Sequence, residues 1–157
     1  MAARNALLTH DMKAKVADFG LSTRLYNDTS GKKETRPGIF PSRWAAYEVL
    51  QTKIPFLELS DVWSFGVLMW EVFHLGSAIP YGIFYAETKI INFLQNGFRL
   101  SKPELCPQSV YEIMLQCWQE KHLIRPTFQQ LKNQLQIFQN LSNNSYITTE
   151  ASEIIIE

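Results

Sequence analysis

Apolar positions along this chain form a short alternating stretch, then a long polar interval, then an almost unbroken helical pattern. Ala6 to Thr9 and Lys15 to Ala17 read as two small β segments around a turn at His10-Asp11-Met12. From Asp18 to Pro41 the chain is polar and punctuated by Gly20, Gly31, Pro37 and Gly38, with Lys32, Lys33 and Arg36 adding a basic cluster. A loop this long inside a compact domain is either functional or disordered.

Beyond it the period changes. Ser60-Asp61 predicts a cap for a helix from about Val62 to Leu75 that stops at Gly76. Val62, Trp63, Phe65, Val67, Leu68, Met69, Trp70, Val72 and Phe73 cover nearly every face of that helix, so protein must surround it. It is predicted to be the central post of the domain. A second helix is predicted from about Ala86 to Asn96, with Ile90, Ile91, Phe93 and Leu94 inward and Gly97 as its stop. A third runs from about Ser109 to Gln119, with Val110, Ile113, Met114 and Cys117 or Trp118 on one stripe. The last starts with Pro126 in its first turn, where a missing N–H costs nothing, and carries Phe128, Leu131, Leu135 and Phe138 inward. After Leu141 the chain turns polar. The expected organisation is one mainly α domain over residues 1–140 and a flexible tail over residues 141–157.

Composition narrows the classes. A net charge of zero, from 15 basic and 15 acidic residues, gives no reason to expect nucleic acid or an anionic membrane as partner. With 46% hydrophobic and 13% aromatic residues the chain can fill a core. Cys106 and Cys117 have no metal or redox spacing and are expected to be buried, reduced thiols. No window approaches the ~18 apolar residues of a membrane span, and Met1-Ala2-Ala3-Arg4-Asn5 is not a signal core. A soluble, cytoplasmic chain is expected, in which the sequons at Asn27, Asn140 and Asn143 stay unmodified.

Asp18-Phe19-Gly20 is the sharpest chemical signal, because of its setting rather than its length. It follows a short hairpin, precedes a long polar loop and has Asn5 upstream. In phosphoryl transfer an aspartate holds Mg²⁺ against the phosphates and an asparagine can hold a second ion. On the tripeptide alone, a turn with an exposed Asp is the favoured reading.

The order of further motifs decides between them. Ala2-Ala3-Arg4-Asn5 resembles the end of the tyrosine-kinase catalytic loop, and Lys15-Val16-Ala17-Asp18-Phe19-Gly20-Leu21-Ser22 resembles its metal-binding strand and turn. Phe40-Pro41-Ser42-Arg43-Trp44 is similar to the segment that closes the activation loop of tyrosine-specific members. Ser60-Asp61-Val62-Trp63-Ser64-Phe65-Gly66-Val67 resembles the start of the family's buried central helix, and Arg125-Pro126-Thr127-Phe128 the start of its last one. The match runs over about residues 2 to 140, in order. The chain is thus identified as resembling the C-terminal lobe of a receptor-type protein tyrosine kinase: a helical bundle around a buried helix, with a β-hairpin first, an activation segment over about residues 18–48, and no N-lobe.

The resemblance implies roles. Asn5 and Asp18 are the metal ligands, and Leu7, Phe19 and Gly20 line the nucleotide, Leu7 as the floor beneath adenine. Arg4 sits beside the reacting hydroxyl. Glu48 and Arg125 form a buried ion pair tying the activation-loop end to the last helix. Asp61 caps the central helix and accepts backbone N–H bonds from the catalytic loop. ATP and Mg²⁺ are the implied cofactors; the implied partners are tyrosine-bearing protein substrates, the N-lobe and phosphotyrosine-binding adaptors. Tyr26, in the activation loop, and Tyr146, in the tail, are the candidate phosphorylation sites.

Departures from the family pattern matter too. The catalytic base is expected just before the position of Met1, and the Gly-rich loop and β-strand lysine belong to the N-lobe. Ala46-Tyr47-Glu48 stands where the family has Ala-Pro-Glu. Alone, such a half-site is expected to be inactive, with Trp63, Met69 or Trp70 turned to solvent where the preceding helix would pack. Two functional readings follow: a piece of a receptor-like kinase that serves as the intracellular part of a membrane receptor, or a short non-catalytic interaction module or pseudokinase. An endogenous product near 18 kDa separates them, since only the second predicts it.

Overall fold

The computed structural model describes residues 1–17, 41–52, 58–84 and 86–153, with side chains described to residue 140. Asp18, Phe19, Gly20 and Tyr26 lie outside the described residues. Strands β1 (Ala6–Leu8) and β2 (Ala14–Val16) pair antiparallel, with Ala6 opposite Val16 and Leu8 opposite Ala14. The expected hairpin is present, with its connection one residue earlier, over residues 9–13 instead of 10–14. Thr9 leaves the ladder because its Oγ1 accepts the Lys13 N–H at 3.0 Å while its own N–H donates to the Lys13 carbonyl at 2.9 Å. That turn is closed by Met12 at φ 60°, a left-handed residue in a position where most side chains avoid it.

Five α-helices follow among the described residues. They are α1 (Tyr47–Thr52), α2 (Glu58–Phe73), α3 (Glu87–Gln95), α4 (Gln108–Cys117) and α5 (Phe128–Glu153). Helix α2 is the predicted central post, but it starts a turn before the predicted cap. Ser60 and Asp61 lie inside its first turn, and the Ser60 hydroxyl is committed elsewhere, donating to Glu48 Oε1 at 3.0 Å. The helix ends through paired bonds from Gly76 N–H to Glu71 O and from Leu75 N–H to Val72 O, with Leu75 in the left-handed conformation. Helix α3 closes the same way around Gly97 at φ 82°, and Phe93 stacks on Phe98 at 5.3 Å across that cap.

The apolar face expected to be open to solvent is closed. Trp63, Met69 and Trp70 are all buried. The Trp70 indole N–H donates to the Ser101 carbonyl at 2.8 Å, and the guanidinium groups of Arg99 and Arg125 lie over the Trp63 ring, 5.3 and 5.0 Å from its centroid. The chain after α3 thus covers one side of the post, while Val72, 56% exposed, marks the side that stays open. Helix α4 covers another side with Val110, Ile113, Met114 and Cys117, joined by Trp118 just after its end, all buried in the core cluster. Both cysteines are free and buried, and burial pushes the Cys117 thiol up to about 12, so neither behaves as a reactive thiolate at neutral pH.

The start of α5 differs from expectation. Pro126 stands before the helix, not in it; the start is set by Thr127 and Gln130, which bond reciprocally. The Gln130 N–H donates to Thr127 Oγ1 at 3.2 Å, and Gln130 Oε1 accepts the Thr127 N–H at 2.8 Å. Thr127→Ala is expected to cost about 1 kcal/mol, read as a lower urea midpoint at unchanged m-value. Inward residues of α5 are those predicted: Leu131 is buried, and Phe128, Leu135 and Phe138 pack against the core. The helix then continues through Glu153, where a loose tail was expected. Ser142, Asn143, Asn144 and Ser145 are weak helix formers, but no Gly or Pro interrupts the chain between Phe128 and Glu153.

Candidate active site

Of the residues proposed for chemistry, Arg4 and Asn5 lie in the first turn of the chain, which meets α2 and the segment after Pro41. A 3₁₀ turn over Ala3–Asn5 presents Arg4 outward and leaves the Asn5 side chain half-buried. The Asn5 carbonyl accepts the Ala17 N–H at 2.7 Å, so the strand that leads into Asp18 is fastened to Asn5 at its last described residue. Leu7 stands on the same hairpin, 56% exposed, with Leu8 and Val16 also open. Among the described residues no three His, Cys, Asp or Glu side chains group as a metal site.

Arg4 does not stand free. Its guanidinium lies over the Trp44 ring, 4.5 Å from the centroid. Trp44 belongs to the 3₁₀ turn Ser42–Trp44, which Arg43 anchors by donating to the Pro80 carbonyl at 2.6 Å and the Phe84 carbonyl at 2.7 Å. Arg43 therefore fastens the Ser42–Trp44 turn to the loop after α2.

Beneath both lies Glu71, a buried residue that sequence reading did not single out. Its Oε2 accepts the Ala3 N–H at 2.9 Å and the Trp44 indole N–H at 2.9 Å. One carboxyl oxygen thus joins the Arg4 turn to the Trp44 turn. The signal was present: Glu71 is the lone acidic residue amid Trp70, Val72 and Phe73, and a buried polar group needs partners. Glu71 shares a face of α2 with two more polar residues. At ~100° per residue, Ser60, Ser64 and Glu71 fall within an arc of about 40°. Ser60 bonds to Glu48 and the Ser64 hydroxyl to the Trp44 carbonyl at 2.7 Å. A polar seam runs down a helix that is apolar elsewhere beyond its first turn, and it faces the segment from Trp44 to Glu48.

Glu48 and Arg125 meet as a two-pronged ion pair: Nη1 donates to Oε1 at 2.8 Å and Nη2 to Oε2 at 2.7 Å. The Arg125 side chain is 0% exposed and donates further to the carbonyls of Leu59 at 2.9 Å and Gln119 at 2.8 Å. Burial alone pushes the Glu48 carboxyl up; the Arg125 hydrogen bonds and charge outweigh it and hold the group below the usual carboxylate range.

Asp61 departs from its expected role. It is exposed in the first turn of α2, and the Ala3 N–H goes to Glu71. The reason is position: with the helix starting at Glu58, Asp61 is no longer at its cap. The backbone at Tyr146 lies within α5, and its side chain is outside the described residues.

The family model of protein tyrosine and serine/threonine kinases matches residues 1–135. Among curated proteins, the chain is 41% identical to ephrin type-A receptor 1 of Homo sapiens over 152 residues, 97% of this chain and 15% of that protein. It is 39% identical to proto-oncogene tyrosine-protein kinase ROS of Mus musculus over 150 residues, covering 92% of this chain and 6% of the relative. A fibroblast growth factor receptor of Ciona intestinalis is 39% identical over 135 residues, 86% of this chain and 18% of its own length. The chain spans between 6% and 18% of the length of these relatives. No helix among the described residues is long and apolar enough to cross a membrane.

Proposed function

This chain belongs to the protein tyrosine and serine/threonine kinase family, and we propose that it is the helical lobe of a kinase that transfers the ATP γ-phosphoryl group to tyrosine in proteins. The carrying observation is the 2.7 Å bond from Ala17 N–H to the Asn5 carbonyl, which brings the strand leading into Asp18 beside the Asn5 turn.

Kinases of this family use ATP and Mg²⁺ and act on protein substrates. The donor chemistry here fits that demand: an amide oxygen from Asn5 and a carboxylate from Asp18 are the hard oxygen ligands Mg²⁺ takes. When bound, the ion offsets the charge of the phosphates. Leu7, open on the hairpin, offers an apolar floor, and Phe19 and Gly20 border the same place by resemblance. Arg4, held on the Trp44 face, is the side chain nearest to Asn5 in sequence that can orient an acceptor hydroxyl. The general base belongs, by resemblance, before Met1, so these residues bind and orient rather than abstract the proton.

Tyrosine is favoured as the acceptor by the Pro41-x-Arg43-Trp44 segment, and the receptor-type relatives favour the intracellular part of a membrane receptor as its setting. Tyr26 and Tyr146 are the phosphorylation candidates within this reading, and phosphotyrosine-binding adaptors the partners they would recruit. Capture of the cellular product with an antibody to the α5 sequence, followed by labelled ATP, Mg²⁺ and poly-Glu/Tyr, tests it. Label on tyrosine, lost in Asp18→Asn, is the expected result. Label on serine, or undiminished transfer by Asp18→Asn, overturns it.

A further inference from the structure

The geometry points to Glu71 as a positioning residue that locks the Arg4 turn to the Trp44 turn and thereby sets the place of the Arg4 guanidinium during transfer. This rests on the kinase reading above, and adds to it a residue whose side chain lies beneath the site.

Three observations converge. Glu71 is a buried acidic side chain in the last turn of the central helix. A carboxyl group is expensive to bury, and no described lysine or arginine forms an ion pair with it. Instead a single oxygen, Oε2, takes two donors from different segments, the Ala3 peptide and the Trp44 indole, at 2.9 Å each. Ala3 directly precedes Arg4, and Trp44 is the ring on which Arg4 lies. The linkage therefore closes a ring of contacts: Glu71 to Ala3, Ala3 to Arg4 along the chain, Arg4 to Trp44, and Trp44 back to Glu71.

A ring has a mechanical consequence that a bundle of separate contacts lacks. Arg4 is long, exposed and rich in rotamers, so it orders at a cost unless its platform is fixed. Trp44 cannot swing while its N–H is held by Glu71 and its carbonyl by Ser64 at 2.7 Å. The Arg4 backbone cannot shift against it while Ala3 bonds the same oxygen. Positional freedom at a reacting centre is costly to rate: a misplacement of about 1 Å can lower it about 100-fold. Glu71 touches neither nucleotide nor acceptor; it acts through Arg4.

The test has two arms. In the first, ¹⁵N-tryptophan labelling gives four indole N–H signals, from Trp44, Trp63, Trp70 and Trp118. The Trp44 signal, identified by its loss in Trp44→Phe, is expected downfield of those of Trp63 and Trp118, whose buried indole nitrogens lack partners. Glu71→Ala moves it upfield, while Glu71→Gln, which keeps an acceptor oxygen, holds it nearer its original place. A Trp44 signal unmoved by Glu71→Ala overturns the proposal. This arm requires no activity.

The second arm measures kinetics in the tyrosine-phosphorylating product that contains this sequence. Glu71→Ala is expected to lower kcat about 100-fold while the ATP KM changes less than about twofold. Glu71→Gln restores most of that loss. Trp44→Phe keeps an aromatic face under Arg4 but deletes the donor, and is expected to lower kcat about tenfold; this variant keeps the test open if Glu71→Ala does not fold. Unchanged kcat in Trp44→Phe, or a loss confined to ATP KM, overturns the positioning role. A wild-type product that labels no tyrosine overturns the functional reading instead, and the indole signal then decides this one.

Discussion

Glu48→Ala is expected to destabilise the fold by about 3–5 kcal/mol, because it leaves the Arg125 guanidinium buried and unpaired. Arg125 is 0% exposed at its side chain and keeps only backbone carbonyls as acceptors once Glu48 is gone. Leu59, Ser60, Gln119 and Trp63 are all tied to this pair, so the loss extends into α2 and the approach to α5. The loss belongs to the orphaned charge, so replacing both members with apolar residues of similar volume should recover much of it. A urea series on the two single variants and the double variant measures this. A single-variant loss under about 1 kcal/mol would mean that solvent reaches Arg125.

The same pair gives the fold a defined acid response. The folded state holds the Glu48 carboxyl below its ordinary value of 4.5, so at intermediate pH the unfolded chain binds more protons. Stability from this group is therefore full above about pH 4.5 and is lost as pH falls through the depressed folded value. Glu48→Gln lacks the group and should show a shallower acid slope over that window.

Gly66→Val is the second large effect, expected near 3 kcal/mol, the upper part of the usual overpacking range. A Cβ at this position would lie 2.6 Å from Trp118 Nε1 and 2.9 Å from Cys117 Cβ. Both neighbours are themselves fully buried at the end of α4 and its cap and have no solvent to retreat into. Helix propensity argues the other way, since glycine inside a helix costs up to about 1 kcal/mol relative to alanine. Contact should win, because the clash is with a rigid ring rather than the end of a flexible chain. Trp118→Phe removes the nearest atom, and because that indole nitrogen has no hydrogen-bond partner, no bond is lost with it. The two substitutions together should therefore cost less than their sum. Strict additivity in thermal or urea unfolding would show that α2 and α4 are not in contact there.

Elements were legible where local chemistry alone fixes them. The Ile90–Leu94 spacing and the Gly97 stop give α3 almost to the residue, and the α4 stripe is the one observed. The Glu48–Arg125 pair came from motif order and is present in the geometry. Starts set by competing local signals were misread. At α5 the Pro126 signal stood next to a Thr127–Gln130 box, and the reciprocal bonds decided the start. At α2 the Ser60-Asp61 pair has cap chemistry, but Ser60 is claimed by Glu48, distant in sequence. Glu71 was missed for a related reason: its partners, a peptide N–H and an indole, lie far from it along the chain, and neither residue type advertises an acid partner. Trp63 and Trp70 were expected at a vacant surface, whereas two arginines and the Ser101 carbonyl occupy their surroundings.

The seam of Ser60, Ser64 and Glu71 also answers how the central post knows which way to face. A rod greasy on nearly every side is almost indifferent to being spun about its own axis, since one oily flank fills a cavity much as another does. Hydrogen bonds are not indifferent. Inserting one residue between Ser64 and Glu71 would turn the lower half by ~100° and carry the acid away from both its donors. Rotational phase in this lobe is thus written by three polar side chains, while the apolar majority supplies cohesion without direction.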